Sequence, residues 1–129
     1  MIVVQSWDDG VVDDVRLIGI LRRHGAAATF NLNIGLNGPE RQFGWTYKEK
    51  NKDVHRLALG EMVALYEGFE VASHSLKHPH LEQLAPEDLD REVAGSKRQM
   101  EAMFKRPVIG LCYPFGTFND AVKAACQLR

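Results

Sequence analysis

Short apolar runs alternate with segments whose apolar residues recur at helical spacing, and this alternation most narrows the folds open to the chain. Ile2 to Trp7, Ala26 to Leu32, Phe69 to Ser73 and Val108 to Tyr113 are strand-like. Val11, Val15, Ile18 and Leu21 share one face of a helix that Gly25 stops. Leu59, Met62, Val63 and Tyr66 support a second helix, stopped by Gly68. Pro86 opens a third, carrying Leu89, Val93, Met100 and Phe104. Thr117, with Asp120 three residues later, is placed to cap a last helix containing Val122 and Cys126. The pattern predicts an α/β fold of about four β-α units with parallel strands and right-handed crossovers. A length of 129 residues, 45% of them hydrophobic, suits a single domain over residues 1–129. Residues 34–56, with three Gly, one Pro and several charges, read as an insertion loop. Such a loop is too long for a plain connector and is often functional.

Charge and hydropathy exclude several classes of partner. Seventeen acidic and 16 basic residues leave a net charge of −1, with no basic run, so neither nucleic acid nor an anionic membrane is an expected partner. No apolar stretch approaches the roughly 20 residues that cross a bilayer. No charged n-region leads into an apolar h-region, and the expected location is cytoplasmic. Two cysteines are too few for a disulfide framework, and Cys112, in an apolar run, is expected to be a small buried hydrophobe.

In parallel α/β folds chemistry collects beyond the C-terminal ends of the strands. Asp8-Asp9, His74 and Tyr113-Pro114-Phe115-Gly116 all fall at such ends. Adjacent carboxylates at the tip of a buried strand are costly without a partner, and a metal ion is the usual one. His74-Ser75-Leu76-Lys77-His78 offers two imidazoles at i, i+4 spacing. One Asp and two His make a three-ligand site for a divalent metal, with positions open for water and substrate. The remaining Asp is then free to act as a base. The competing reading of the pair is a cap for the helix near Val11, which leaves one carboxylate unexplained. For the imidazoles it is a His74 that ends a buried strand and a solvent-exposed His78. Asp13-Asp14 reads as a solvated first-turn charge.

These segments resemble the motifs of the polysaccharide deacetylases, the NodB-homology domain of carbohydrate esterase family 4. Ser6-Trp7-Asp8-Asp9-Gly10 is similar to T-F-D-D-G, and His74-Ser75-Leu76-Lys77-His78-Pro79 to H-[ST]-x-x-H-P. Gly68-Phe69-Glu70-Val71-Ala72-Ser73 resembles the usual lead-in, and Tyr113-Pro114-Phe115-Gly116 the third motif in its Y-P-[YF]-G form. The matches run in family order along nearly the whole chain. The resemblance implies a metal-dependent hydrolase that removes N-acetyl groups from an acetamido sugar or polysaccharide. Asp9, His74 and His78 would hold the metal, most simply Zn2+, and Asp8 would be the general base toward the water that the metal activates. The backbone N–H of Phe115 would stabilise the oxyanion. Tyr113 and Pro114 would contact substrate, and Trp45 in the insertion could offer an aromatic platform to a sugar ring, surface packing being its other reading.

The departures from the pattern also carry expectations. Many members begin the third motif with an Arg that positions the base; here Cys112 stands there. No segment matches the fourth and fifth motifs, and the fifth carries the His that protonates the leaving amine. His80 lies close enough in sequence to substitute. The family fold is a distorted β/α barrel of seven or eight units, so four units imply a partial barrel with two unpaired sheet edges. A homo-oligomer, a small open α/β sheet, or a C-terminal half supplied by another chain would answer that. Two further readings stay open: a deacetylase-like domain that binds metal or glycan without turnover, and a related amidohydrolase acting on small C–N substrates.

Overall fold

The computed structural model describes residues 1–127, so the last two residues of the expected domain, Leu128 and Arg129, lie outside the described residues. Three parallel strands form the centre: β1 (Ser6–Asp8), β2 (Thr29–Leu32) and a later strand, Glu70–Ser73, in the order β1, β2, Glu70–Ser73. Helix α1 (Asp13–Arg23) makes the crossover from β1 to β2, as the periodicity predicts. The protein is therefore a mixed α/β structure with parallel strands.

The insertion over 34–56 is not a loop. After a short turn at Ile34–Leu36 it forms an antiparallel hairpin of β3 (Gln42–Tyr47) and β4 (Lys52–Arg56), bulged between Phe43 and Trp45. Asn51, in left-handed conformation, makes the turn at its tip. Helix α2 (Leu59–Leu65) then leads into β5 (Glu70–Ser73). Beyond β5, α3 (Pro86–Asp90), a π-helical turn (Arg91–Gly95) and α4 (Ser96–Phe104) run on from one another, and α5 (Asp120–Gln127) ends the described chain.

Two apolar clusters hold these elements. The larger joins Ile18 and Leu21 of α1, Phe30 and Leu32 of β2, Met62, Tyr66, Val71, Met100 and Phe104. Phe30 meets Tyr66 and Phe69 with ring centroids 4.9 and 5.5 Å apart. The smaller unites Leu81, Leu89, Val93 and Val122, with Leu111 and Tyr113 against it.

Four local expectations are corrected. The apolar run at the N-terminus is not a buried strand: only Ser6–Asp8 pair, and Met1, Ile2, Val3 and Val4 are exposed, because β1 is the sheet edge. Val108 to Tyr113 is not a full strand either. Leu111 makes a single parallel bridge to Ser73, the main-chain hydrogen bonds running from Ser73 N–H to Gly110 and from Cys112 N–H to Ser73. Asn119, not Thr117, caps α5: its Oδ1 accepts the Val122 N–H at 2.9 Å, while the Thr117 hydroxyl donates to Glu82. Asp14 is buried, not solvated, and accepts a hydrogen bond from the Tyr66 hydroxyl. No helix among the described residues is long and apolar enough to cross a membrane.

Candidate metal centre

Parallel pairing sets Asp8 opposite Asn31 at the C-terminal ends of β1 and β2. Alternation along the extended chain sends the side chains of Asn31 and Asn33 to the same side. Each takes one carboxylate of the pair. Asn31 Nδ2 donates to Asp8 Oδ1 at 2.7 Å, and Asn33 Nδ2 donates to Asp9 Oδ1 at 2.8 Å. Both asparagines are buried, so their amides are fixed donors. Neither carboxylate caps α1, whose N-terminus has no side-chain cap. The capping alternative is thereby set aside.

Arg56, the last residue of the hairpin, completes this row. Its Nη1 donates to the Asp9 carbonyl at 3.0 Å and to Asn33 Oδ1 at 2.9 Å, and its guanidinium lies 5.3 Å from the Trp45 ring centroid. Burial pulls its pKa down from the usual value, with the Asp9 charge working against that.

Strand β5 delivers His74, which is almost fully buried. Its Nδ1 lies 2.9 Å from the Cys112 carbonyl. A carbonyl only accepts, so Nδ1 carries the proton and Nε2 is left free as a ligand atom. The following loop is tied down by Glu92 of the π-helical turn, which accepts the N–H groups of Leu76 and Lys77, both at 2.8 Å. Ser75 Oγ accepts the His78 N–H at 2.9 Å, and Ser96 Oγ is 2.8 Å from Ser73 Oγ. A Cβ on Gly35 would sit 2.6 Å from the Leu76 carbonyl oxygen, so only glycine lets the turn after β2 approach this loop.

The loop folds His78 back beside His74, with ring centroids 4.6 Å apart. His74 Nε2 is 3.7 Å and His78 Nε2 3.8 Å from Asp9 Oδ1. One ligand atom each from Asp9, His74 and His78 lie within 4.8 Å of one another. Burial, then the neighbouring His74, lowers the His78 pKa against the opposing pull of Asp9, which favours the neutral ring that ligates metal. Two imidazoles and a carboxylate form a donor set that fits a divalent cation such as zinc. Backbone conformation supports the same focus. Asp9, Ser75, His78 and Phe115 all have positive φ, as do only Asn51 and Lys105 elsewhere among the described non-glycine residues. Such residues cost about 1–3 kcal/mol each and gather where function holds them.

The remaining expected site residues divide. Phe115 stands beside the centre: its exposed ring stacks on His80 at 4.0 Å and meets His78 edge-on at 4.6 Å. Trp45 borders a cavity of about 340 Å³ together with Asp9, Leu36, Arg56, Lys77 and His78. Pro114 is fully buried, and Tyr113 turns toward Phe118 and the smaller apolar cluster. These two therefore set the course of the chain into Phe115. His80 Nδ1 is engaged near Glu82, 3.2 Å away. Asn31, Asn33, Arg56 and Glu92 escaped the sequence reading. The N-x-N spacing in an otherwise apolar run was the visible signal for the first two.

The polysaccharide deacetylase profile matches residues 1–128. The Bacillus subtilis (strain 168) protein YxkH, a polysaccharide deacetylase by name, is 26% identical over 97% of this chain and 40% of its own length. The structure of Streptococcus pyogenes deacetylase PplD in complex with acetate superposes with a TM-score of 0.77 and 25% identity, over 95% of this chain and 50% of that one. BA3943, a pseudoenzyme of carbohydrate esterase family 4 from Bacillus anthracis, shares the fold at 20% identity and a TM-score of 0.67, over 96% of this chain and 39% of that one. The chain thus spans half or less of the length of these relatives. With the motifs in order, the strand-end donors brought together and the profile matched from the first residue to the 128th, the chain belongs to the polysaccharide deacetylase family.

Proposed function

We propose that the protein is a metal-dependent hydrolase that removes N-acetyl groups from an acetamido sugar or polysaccharide. The observation that carries the reading is the meeting of Asp9, His74 and His78 beside a second carboxylate, Asp8, that an amide holds in place. Residues 1–129 form one domain in this reading, a partial β/α barrel of about four units. Asp9, His74 and His78 would hold the cation, most simply Zn2+, which supplies Lewis-acid polarisation of water and of the amide carbonyl.

The chain's own residues do the rest. Asp8 accepts a proton as water adds to the carbonyl carbon, and Asn31 keeps its other oxygen directed away from that task. The Phe115 N–H donates to the oxyanion. As the C–N bond breaks and the carbonyl re-forms, the proton on Asp8 passes to the leaving nitrogen, which departs as the free amine; the acetic acid left behind gives its own proton to solvent and leaves as acetate. The exposed part of Trp45 gives the sugar ring a face to stack on, and the Arg56 guanidinium over the indole helps to hold its tilt.

The test is acetate release from a panel of N-acetylated amino sugars and their oligomers, run with metal analysis. Wild-type protein is expected to release acetate, and Asp8→Asn to lose about 10²–10⁴-fold in rate while still binding metal. Unchanged turnover in Asp8→Asn would remove Asp8 from its role. A second reading, metal or glycan binding without turnover, is favoured by Cys112 in the place of the motif's Arg and by the shared fold of BA3943. Acetate release that His74→Ala abolishes would exclude it. Activity on small cyclic amides, with none on acetylated sugars, would instead select the related amidohydrolase.

A further inference from the structure

His74 Nε2 stands between two carboxylates, 3.7 Å from Asp9 Oδ1 and 4.0 Å from Asp8 Oδ2. On the Asp9 side His78 completes a donor triad. On the Asp8 side Cys112 does so: one ligand atom each from Asp8, His74 and Cys112 also lie within 4.8 Å of one another. The backbone fixes this second triad as firmly as the first. Cys112 N–H donates to the Ser73 carbonyl at 2.8 Å, Ser73 N–H to Gly110 at 2.9 Å, and the Cys112 carbonyl pins His74 Nδ1. Asn31 holds Asp8. Thiol, imidazole and carboxylate therefore meet at the C-terminal end of the sheet at set spacings. Ligand bonds of roughly 2.0–2.3 Å put tetrahedral donors about 3.3–3.8 Å apart, so either triad closes on an ion with side-chain shifts of about 1 Å.

The two triads differ in chemistry. Carboxylate with two imidazoles suits zinc and similar borderline cations, whereas a thiolate selects thiophilic ones. They also exclude each other, because a single Nε2 can bond only one ion. We propose that Asp8, His74 and Cys112 form a second, mutually exclusive site for a thiophilic cation, and that an ion bound there inhibits the protein by engaging Asp8. On binding, the S–H bond breaks, sulfur bonds the metal and the proton leaves to solvent, with no change of oxidation state. The existence of the site stands independently of turnover. Its inhibitory effect rests on Asp8 being the base.

The decisive experiment is titration of the metal-free 129-residue protein with Cd2+, following the ultraviolet sulfur-to-cadmium charge-transfer band. The band is expected to saturate at one ion per chain, to vanish in Cys112→Ser and His74→Ala, and to persist in Cys126→Ser. Cadmium bound without the band, a band that survives Cys112→Ser, or no cadmium bound at all overturns the site. In an acetate-release assay the Cd2+ concentration for half inhibition is expected to rise at least tenfold in Cys112→Ser relative to Cys126→Ser. A Cys112-dependent band with no such shift overturns the inhibitory role alone. A protein that releases no acetate refutes the deacetylase reading and the inhibition, while the band still decides the site.

Discussion

Asp14 has a different chemistry from the carboxylates that precede it. It is only 4% exposed and accepts the Tyr66 hydroxyl, and burial, the largest cause, pushes its pKa up to about 6. Burial and the Asp14 charge push the Tyr66 phenol up as well, so the phenol remains a donor. A raised carboxyl pKa means the folded chain holds a proton that the unfolded chain releases from about pH 4 upward. The contribution of Asp14 to stability is therefore best below pH 4 and is lost as pH rises to about 6. A shift of this size corresponds to a penalty on the order of 3 kcal/mol at pH 7. Asp14→Asn is expected to raise the urea midpoint at pH 7 and to remove most of the fall between pH 4 and 7 that wild type shows. Parallel pH profiles for the two proteins would show that Asp14 ionises freely in the fold. Helical spacing puts Asp14, and not Asp13, on the face of Ile18 and Leu21, a signal that the reading of both as solvated first-turn charges passes over. Their partners differ accordingly: Asp14 accepts from Tyr66, 52 residues along, whereas Asp13 pairs with Lys52 at the surface.

At the scale of elements, the hairpin explains both what the sequence reveals and what it hides. Phe43, Trp45 and Tyr47 alternate as a strand should, but Gly, Pro and charge in the same stretch suggest a loop. The bulge between Phe43 and Trp45 breaks the register that simple alternation assumes, and the hairpin lies outside the main sheet. Its function is equally non-local. Arg56 spans from β4 to the Asp9 carbonyl and Asn33 Oδ1, and Asn33 in turn orients the Asp9 carboxylate. By contrast, Asp9, His74 and His78 are legible because strand ends deliver them within short motifs. Residues that orient metal ligands typically change affinity about 10–100-fold when removed. Arg56→Met is accordingly expected to weaken zinc binding by that factor in competition with a chromophoric chelator, with Arg56→Lys recovering part of it. Equal zinc affinity in wild type and Arg56→Met would confine the hairpin to a packing role.

For the whole molecule, the unresolved question of the strand pattern is what happens at the sheet edges. The run Met1 to Val4 reads as a strand interior because it is continuously apolar, yet in the structure β1 pairs with β2 on one side only. A local pattern reports that a segment wants a partner, not whether the chain supplies one. At the opposite edge, Leu111 makes just one bridge, and Ile109, two residues before it, is exposed. The isolated chain thus presents apolar side chains and free main-chain groups at an edge, the arrangement that templates pairing with another strand. Trp7, 42% exposed on the same strand, extends the patch. The 129-residue protein on its own is expected to self-associate through β1 at micromolar concentration. Light scattering should give a mass above that of one chain, and Val3→Lys, placing a charge on the edge, should return it toward the monomer. A monomeric mass for wild type would mean that Met1 to Val4 tolerates water without a partner. A dimer that Val3→Lys leaves intact would move the interface away from β1.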